Sequence, residues 1–310
     1  MTLPNFFVAG VPKTGTTSLY FYLRQHPQVY MSPIKEPTFF GAADLLTDPY
    51  RQQVRRFLER DPAAVRIFLE DTQPGVPQHF FLRRDDYESL FRDVRDQTAI
   101  GEATADYFWL PSAAQAIRSS VPSARLIFIL RHPAERLFSW YLLARWRESS
   151  LTFHEWFSAA REPGATWWPV VDAGRYLTHL QRFFALFPRD QIRIHLFDAL
   201  RADAQAVLKD LFTFLGVNPD YPIDLSRRSN ETVVPRFPRL EMLRRRMFRG
   251  ASPLRWLPQG ARDALRRAYH QPRRHFAMDP ADRRVVIDYY RDEVVRAGDL
   301  IGRDLSGWLA

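Results

Sequence analysis

A short strand, a glycine loop and a helix rich in hydroxyl residues open this chain, and together they narrow the possible folds more than any other feature. Asn5 to Val11 is an apolar run rich in Phe and Val that stops at Pro12, and it reads as a buried strand. Thr17-Ser18-Leu19-Tyr20-Phe21-Tyr22-Leu23 reads as a helix ending before Pro27. Between them lies Gly10-Val11-Pro12-Lys13-Thr14-Gly15-Thr16-Thr17. Gly15 tolerates positive φ and leaves room for a phosphate. The first amides of a helix have no intrahelical carbonyl to bond, so the N–H groups from Thr14 to Ser18 are placed to meet an anion. Lys13 adds a compact, mobile positive charge. Gly10 and Gly15 have the spacing of a Walker A loop, but Thr16 stands where that loop has lysine, and the lysine comes earlier, at position 13. The plain alternative is a βα turn that binds nothing, which explains neither Lys13 nor the three consecutive hydroxyl residues.

Strand, loop and helix begin a βαβ unit. Downstream, Ala99–Glu102 reads as a strand and Ser112–Ser120 as a helix. Arg125-Leu126-Ile127-Phe128-Ile129-Leu130 is a continuous apolar run, the pattern of a parallel strand covered on both faces. Pro133 suits the first position of a helix running to about Trp146. Gly174–Phe187 reads as helix, Gln191–Leu196 as strand, Ala202–Leu215 as a helix closed by Gly216, and Ala281–Leu300 as an amphipathic terminal helix. Helical patches are expected at 50–58 and 85–92. The alternation predicts an α/β chain with a central, mostly parallel sheet flanked by helices, a P-loop-like three-layer fold. No composition break divides it, so residues 1–310 are expected to form a single domain, with the Arg- and Pro-rich stretch 226–280 as an irregular cover or lid.

Composition removes several function classes. With no cysteine there is no disulfide framework, thiolate metal site or cysteine nucleophile. Hydrophobic residues make up 46% of the chain and aromatics 14%, enough to bury a core and exclude a wholly disordered protein. No apolar stretch approaches the ~20 residues of a membrane span, and the first residues lack a basic region ahead of an apolar one. The expectation is a soluble protein of the cytoplasm. The net charge of +9 suits an anionic ligand. Without zinc-finger spacing, an RNP motif or a long basic run, no nucleic-acid partner is expected. Arginine dominates the 44 basic residues so heavily that the three lysines, Lys13, Lys35 and Lys209, stand out.

A second anion site is predicted at the end of the 126–130 strand. There Arg131-His132-Pro133 leads into a helix that carries Ser139. In open α/β sheets ligands sit beyond the carboxyl ends of strands, and a forked guanidinium with a helix hydroxyl can share one phosphate. A nucleotide-hydrolysing or kinase reading wants an Asp for magnesium at such a strand end; this strand ends in Arg131. A strand-end ion pair for Arg131 and a plain helix serine for Ser139 are the bland readings.

These segments resemble the sulfotransferases that use 3′-phosphoadenosine-5′-phosphosulfate (PAPS). Pro12 to Leu19 is similar to that family's 5′-phosphosulfate loop, and Arg125 to Tyr141 to its 3′-phosphate segment. Lys35-Glu36-Pro37-Thr38-Phe39-Phe40, Gly101 to Phe108, Gly174-Arg175-Tyr176 and Ile301 to Leu309 match a pattern shared by bacterial members and the heparan sulfate-type carbohydrate sulfotransferases, so the resemblance runs nearly end to end. It implies sulfuryl transfer from PAPS, releasing 3′,5′-adenosine bisphosphate (PAP), to a hydroxyl or amine of a carbohydrate, glycolipid or small molecule, without a metal. It implies that Lys13 and the amides of Thr14, Gly15, Thr16, Thr17 and Ser18 hold the 5′-phosphosulfate. Arg131 with Ser139 would hold the 3′-phosphate, and Arg228 and Asn230 would belong to a segment closing over the cofactor. Glu36 is the implied base, with Lys35 beside the sulfuryl group; a solvated Lys35–Glu36 pair is the alternative. Heparan-type enzymes carry a basic residue where this chain has Ala103. A P-loop kinase and a non-catalytic polyanion binder remain the competing functions.

Overall fold

The computed structural model describes residues 2–45, 83–148, 151–162, 170–226, 233–235, 260, 270–272 and 276–310. In chain order they form β1 (Phe6–Gly10), α1 (Thr16–Leu23), β2 (Val29–Met31), β3 (Ala99–Ala103), α2 (Ala113–Ser120), β4 (Arg125–Leu130), α3 (Pro133–Glu148) and α4 (Phe153–Ala160). There follow α5 (Tyr176–Leu186), β5 (Ile192–Leu196), α6 (Phe197–Ala202), α7 (Ala204–Leu215), the short β6 (Val233–Pro235) and β7 (His270–Pro272), and α8 (Pro280–Ile301). The main sheet has the order β2-β3-β1-β4-β5, and every pairing in it is parallel. β6 and β7 pair antiparallel in a separate ribbon.

The two central strands are buried on both faces, as their unbroken apolar runs demand. All five residues of β1 are buried, and in β4 only Arg125 is exposed. Because successive side chains alternate across a strand, the same residues sort into two cores. Phe7, Leu126, Phe128 and Leu130 pack on one face with Tyr107, Phe183, Val286 and Tyr290. Phe6, Val8, Ile127 and Ile129 pack on the other with Leu19 and Leu23 of α1 and Leu208, Leu211 and Phe212 of α7. Helices therefore cover both sides, which makes the three layers. The terminal helix α8 lies against α5 and α3.

Most expected elements are present within a residue or two. The expected helix over 202–215 is α7, starting two residues later: Asp203 takes its N-cap, its carboxylate accepting from the Ala206 amide at 2.9 Å, and separates it from the preceding α6. Gly216 ends α7 at φ 74°. The expected start of α5 at Gly174 is a single tight turn, Asp172–Gly174, ahead of Tyr176. Several elements were not expected, among them α6 and the β6–β7 ribbon as well as β2 and α4. β2 is three residues long, too short to show a period, and exists because it pairs with β3. α4 was announced by Thr152 and Glu155, which form a reciprocal capping box. The expected helical patch at 50–58 lies outside the described residues.

Candidate active site

The phosphate loop sits at the carboxyl end of β1, in the middle of the sheet. Gly15 caps α1 in the left-handed region at φ 89°, and a Cβ there would lie 3.0 Å from Phe197, so a substitution is both strained and crowded. The first hydrogen bond of α1 runs from the Leu19 amide to the Gly15 carbonyl at 3.0 Å. The amides of Thr16, Thr17 and Ser18 precede it and face the loop end of the helix dipole. Thr14 is buried, its hydroxyl donating to the Val11 carbonyl at 2.7 Å.

β4 lies beside β1 in parallel, so Arg131 emerges next to this loop. Its guanidinium donates to the Lys13 carbonyl at 3.0 Å and lies 4.6 Å from the centre of the Phe197 ring. Glu135 stands 3.6 Å from Arg131 and 3.6 Å from Arg283 of α8. The Arg131 carbonyl accepts from Tyr176 at 2.6 Å, which fixes the strand end from α5. Ser139 is buried on α3. His132 is a buried loop residue. Burial, with Arg283 and Arg131 beside it, lowers its pKa to about 4, and Arg283 lies 2.8 Å from its Nε2.

Lys35 and Glu36 lie beyond β3, on the other side of β1. They are not a solvated pair: Lys35 is 1% exposed and Glu36 16%. Lys35 Nζ contacts Glu36 Oε1, the Ala105 amide donates to Oε2 at 2.8 Å, and the Glu36 amide donates to the Ala103 carbonyl at 2.9 Å. Ala103 is itself fully buried in β3. Lys13, Glu36 and Thr38 have φ of 71°, 60° and 56°, the three left-handed non-glycine residues among those described. Each such residue costs on the order of 1–3 kcal/mol and persists where surrounding contacts over-determine it. All three fall in the two segments singled out from the sequence. Lys209, by contrast, is a surface residue paired with Asp220 at 2.6 Å.

Beneath Glu36 lies a carboxylate that sequence reasoning passed over. Glu102 of β3 is fully buried, and it accepts from Tyr87 and Tyr107 at 2.8 Å each on Oε1 and from Thr104 at 2.8 Å on Oε2. Burial raises its pKa from 4.5 to about 7; the three hydroxyls oppose the rise and the charge of Glu36 adds to it. A carboxyl whose folded pKa lies above its unfolded one favours the native state at low pH, and this contribution is lost as pH rises through the window from about 4.5 to about 7. The unfolding free energy of the wild type, measured against Glu102→Gln by urea titration, is expected to fall across that window by up to about 3 kcal/mol. No relative change would show that Glu102 ionises at no cost, and a relative rise that the fold favours its charged form. Glu102 was visible beforehand only as the acid of Gly101-Glu102, a strand residue with no partner in sequence.

The sheet puts Lys13 and Thr14–Ser18 after β1, Arg131 after β4 and the Lys35–Glu36 turn against the end of β3, while Ser139 lies on α3. Arg228 and Asn230 lie outside the described residues, as does most of 226–280. Among the described residues no cluster of three or more His, Asp or Glu side chains is placed to hold a metal, and no helix is long and apolar enough to cross a membrane.

Comparison with known proteins agrees with this geometry. The chain is similar to the human bifunctional heparan sulfate N-deacetylase/N-sulfotransferase 3, 27% identical over 321 residues, which is 99% of this chain and 31% of that protein. It is also 27% identical over 262 residues to human carbohydrate sulfotransferase 15, covering 70% of this chain and 44% of that one. The chain thus spans less than half the length of either relative. A crystal structure of a sulfotransferase from Alicyclobacillus acidocaldarius matches over 100% of both chains with 26% identity and a TM-score of 0.70. A sequence model of the sulfotransferase family matches residues 4–221, all five strands of the main sheet and the loops after β1 and β4, and the chain belongs to that family.

Proposed function

We propose that this protein transfers a sulfuryl group from PAPS to a hydroxyl or amine of a carbohydrate acceptor, with glycolipids and small molecules as related alternatives. The observation that carries the reading is the hydrogen bond joining Arg131 to the Lys13 backbone. It brings two cationic groups from neighbouring strand ends to one place, as a ligand with phosphates at both ends of an adenosine requires. The donor set fits such a ligand: helix amides and Lys13 for one anionic group, and a forked guanidinium with a nearby hydroxyl for the other.

When bound, PAPS would supply an activated sulfur and the leaving group, the electron pair of its sulfur–oxygen bond departing on PAP. Glu36 takes the proton from the acceptor oxygen or nitrogen as that atom bonds to sulfur. Lys13 neutralises the charge that grows on the departing PAP oxygen, an electrostatic role made effective by a fixed, largely buried setting. Lys35, buried against Glu36, fixes the carboxylate from one side while the Ala105 amide fixes it from the other. The names of the two human relatives support a carbohydrate acceptor. The same proposal treats the chain as one cytoplasmic domain acting without a metal, with Arg228, Asn230 and the rest of 226–280 closing over the ligand.

A thermal-shift titration tests the cofactor assignment. PAP in the presence of a metal chelator is expected to stabilise the protein by about 2.7 kcal/mol at a hundred times its Kd, and Mg-ATP to give a much smaller shift. Stabilisation by Mg-ATP alone would favour a kinase. Steeply salt-dependent binding of heparin with no response to PAP would favour a polyanion binder.

A further inference from the structure

The buried carboxylate of Glu102 is joined to the Glu36 turn by two hydroxyl relays. The Thr38 amide donates to Thr104 Oγ1 at 3.3 Å, and that hydroxyl donates to Glu102 Oε2. The Phe40 amide donates to the Tyr107 hydroxyl at 3.2 Å, and that hydroxyl donates to Glu102 Oε1. Tyr87 completes the set, its ring stacked on Phe39 with centroids 4.4 Å apart. Glu36 lies just ahead of these anchored amides, and it and Thr38 sit at positive φ. A turn of that shape holds only if something pins it. Besides the Ala103 carbonyl and the Ala105 amide, two of its pins are hydroxyls outside the segment 35–40 that converge on one side chain of β3.

From this we infer that Glu102 is a positioning residue for Glu36. Its carboxylate polarises the Thr104 and Tyr107 hydroxyls, which bind the Thr38 and Phe40 amides more tightly and hold the Glu36 carboxylate at the end of β3. Charged acceptors strengthen hydrogen bonds about twofold over neutral ones. An uncharged Glu102 loosens both relays together. Glu102 lies below Glu36 and touches no reacting atom, so it acts on turnover only through Glu36. This inference rests on the role proposed above for Glu36.

A mutant cycle tests it, with turnover read as transfer from radiolabelled PAPS to de-N-sulfated heparin and as hydrolysis of PAPS to PAP and sulfate, in mildly alkaline buffer. Glu102→Gln is expected to lower kcat about tenfold to a hundredfold, with KM for PAPS and the Kd of PAP changed less than twofold. In a Glu36→Gln background the same change is expected to have no further effect on the residual rate. A multiplicative loss in that background would show a general structural role and overturn the inference, as would an unchanged kcat in the single variant. Full activity of Glu36→Gln would instead sink the base assignment. Thr104→Val and Thr104→Ser repeat the test with one relay removed and restored, should Glu102→Gln fold poorly. Hydrogen exchange gives a readout free of turnover. The peptide spanning residues 36–41 should exchange at least tenfold faster in Glu102→Gln while the β1 and β4 peptides stay protected. Unchanged protection of 36–41 would also overturn the inference.

Discussion

Glu36→Gln is expected to lower kcat by about 10²–10⁴-fold, the usual contribution of a general base, while leaving PAP affinity as it was. The substitution is nearly isosteric. Its carbonyl oxygen can still accept from the Ala105 amide at the Oε2 position, so the turn keeps that anchor. What disappears is the ability to take a proton and the pairing with Lys35. Because Lys35 is 1% exposed, its ammonium loses its carboxylate partner without gaining water, so a companion variant, Lys35→Met, shows how much of the loss belongs to the pair. Calorimetry with PAP and a rate measurement on the same preparation separate the two effects. A Glu36→Gln protein that binds PAP and turns over normally would remove Glu36 from the mechanism.

The second large effect lies at the other end of the proposed ligand. Arg131→Ala is expected to weaken PAP by about tenfold to a hundredfold, the range for losing charged hydrogen bonds. The same change should barely alter the affinity for adenosine 5′-phosphate, which lacks the 3′-phosphate assigned to Arg131. Lys13→Ala should weaken both nucleotides, because both carry a 5′-phosphate. Arg131→Lys keeps a positive charge but loses the planar fork, and it is expected to recover only part of the binding. This difference in nucleotide preference matters because Arg131 also holds the Lys13 carbonyl. If Arg131→Ala weakened PAP and adenosine 5′-phosphate equally, its role would be to support the loop, and the 3′-phosphate assignment would be lost.

Much of this site was legible because its parts are local. The loop from Gly10 to Thr17 announces itself through residue types at fixed spacing, since anion binding at a helix start depends on backbone amides only a few residues apart. Arg131 was legible for a related reason: β4 is covered on both faces, and a charged residue at the end of such a run stands out. Lys35 and Glu36 were visible as residues, but their setting was not. Sequence spacing favoured a solvated ion pair; the structure buries it, because the β3 end brings the Ala103 carbonyl and the Ala105 amide against that turn. Glu102 shows the limit most clearly. Its hydroxyl partners come from Tyr87, Thr104 and Tyr107, on either side of it in the chain, and its influence reaches Thr38 and Phe40 through them.

What the amino-acid order fixed without help was the set of elements and the anion loop, since periodicity, caps and helix starts are decided by neighbours along the chain. The exceptions are α4, which a capping box starts, and the short β2, α6, β6 and β7, each six residues or fewer. Only the folded sheet decided which strand ends lie side by side. Its order puts β1 between β3 and β4, so the loop after β1 meets Arg131 on one flank, and the Glu36 turn docks on the end of β3 on the other. Parallel pairing joins Phe6 to both Gly101 and Arg125, far along the chain, and no local pattern encodes that choice. It follows from which apolar faces must be buried together, and burial also removes water from Lys35, Glu102 and Arg131, giving them the strength to hold a ligand or one another.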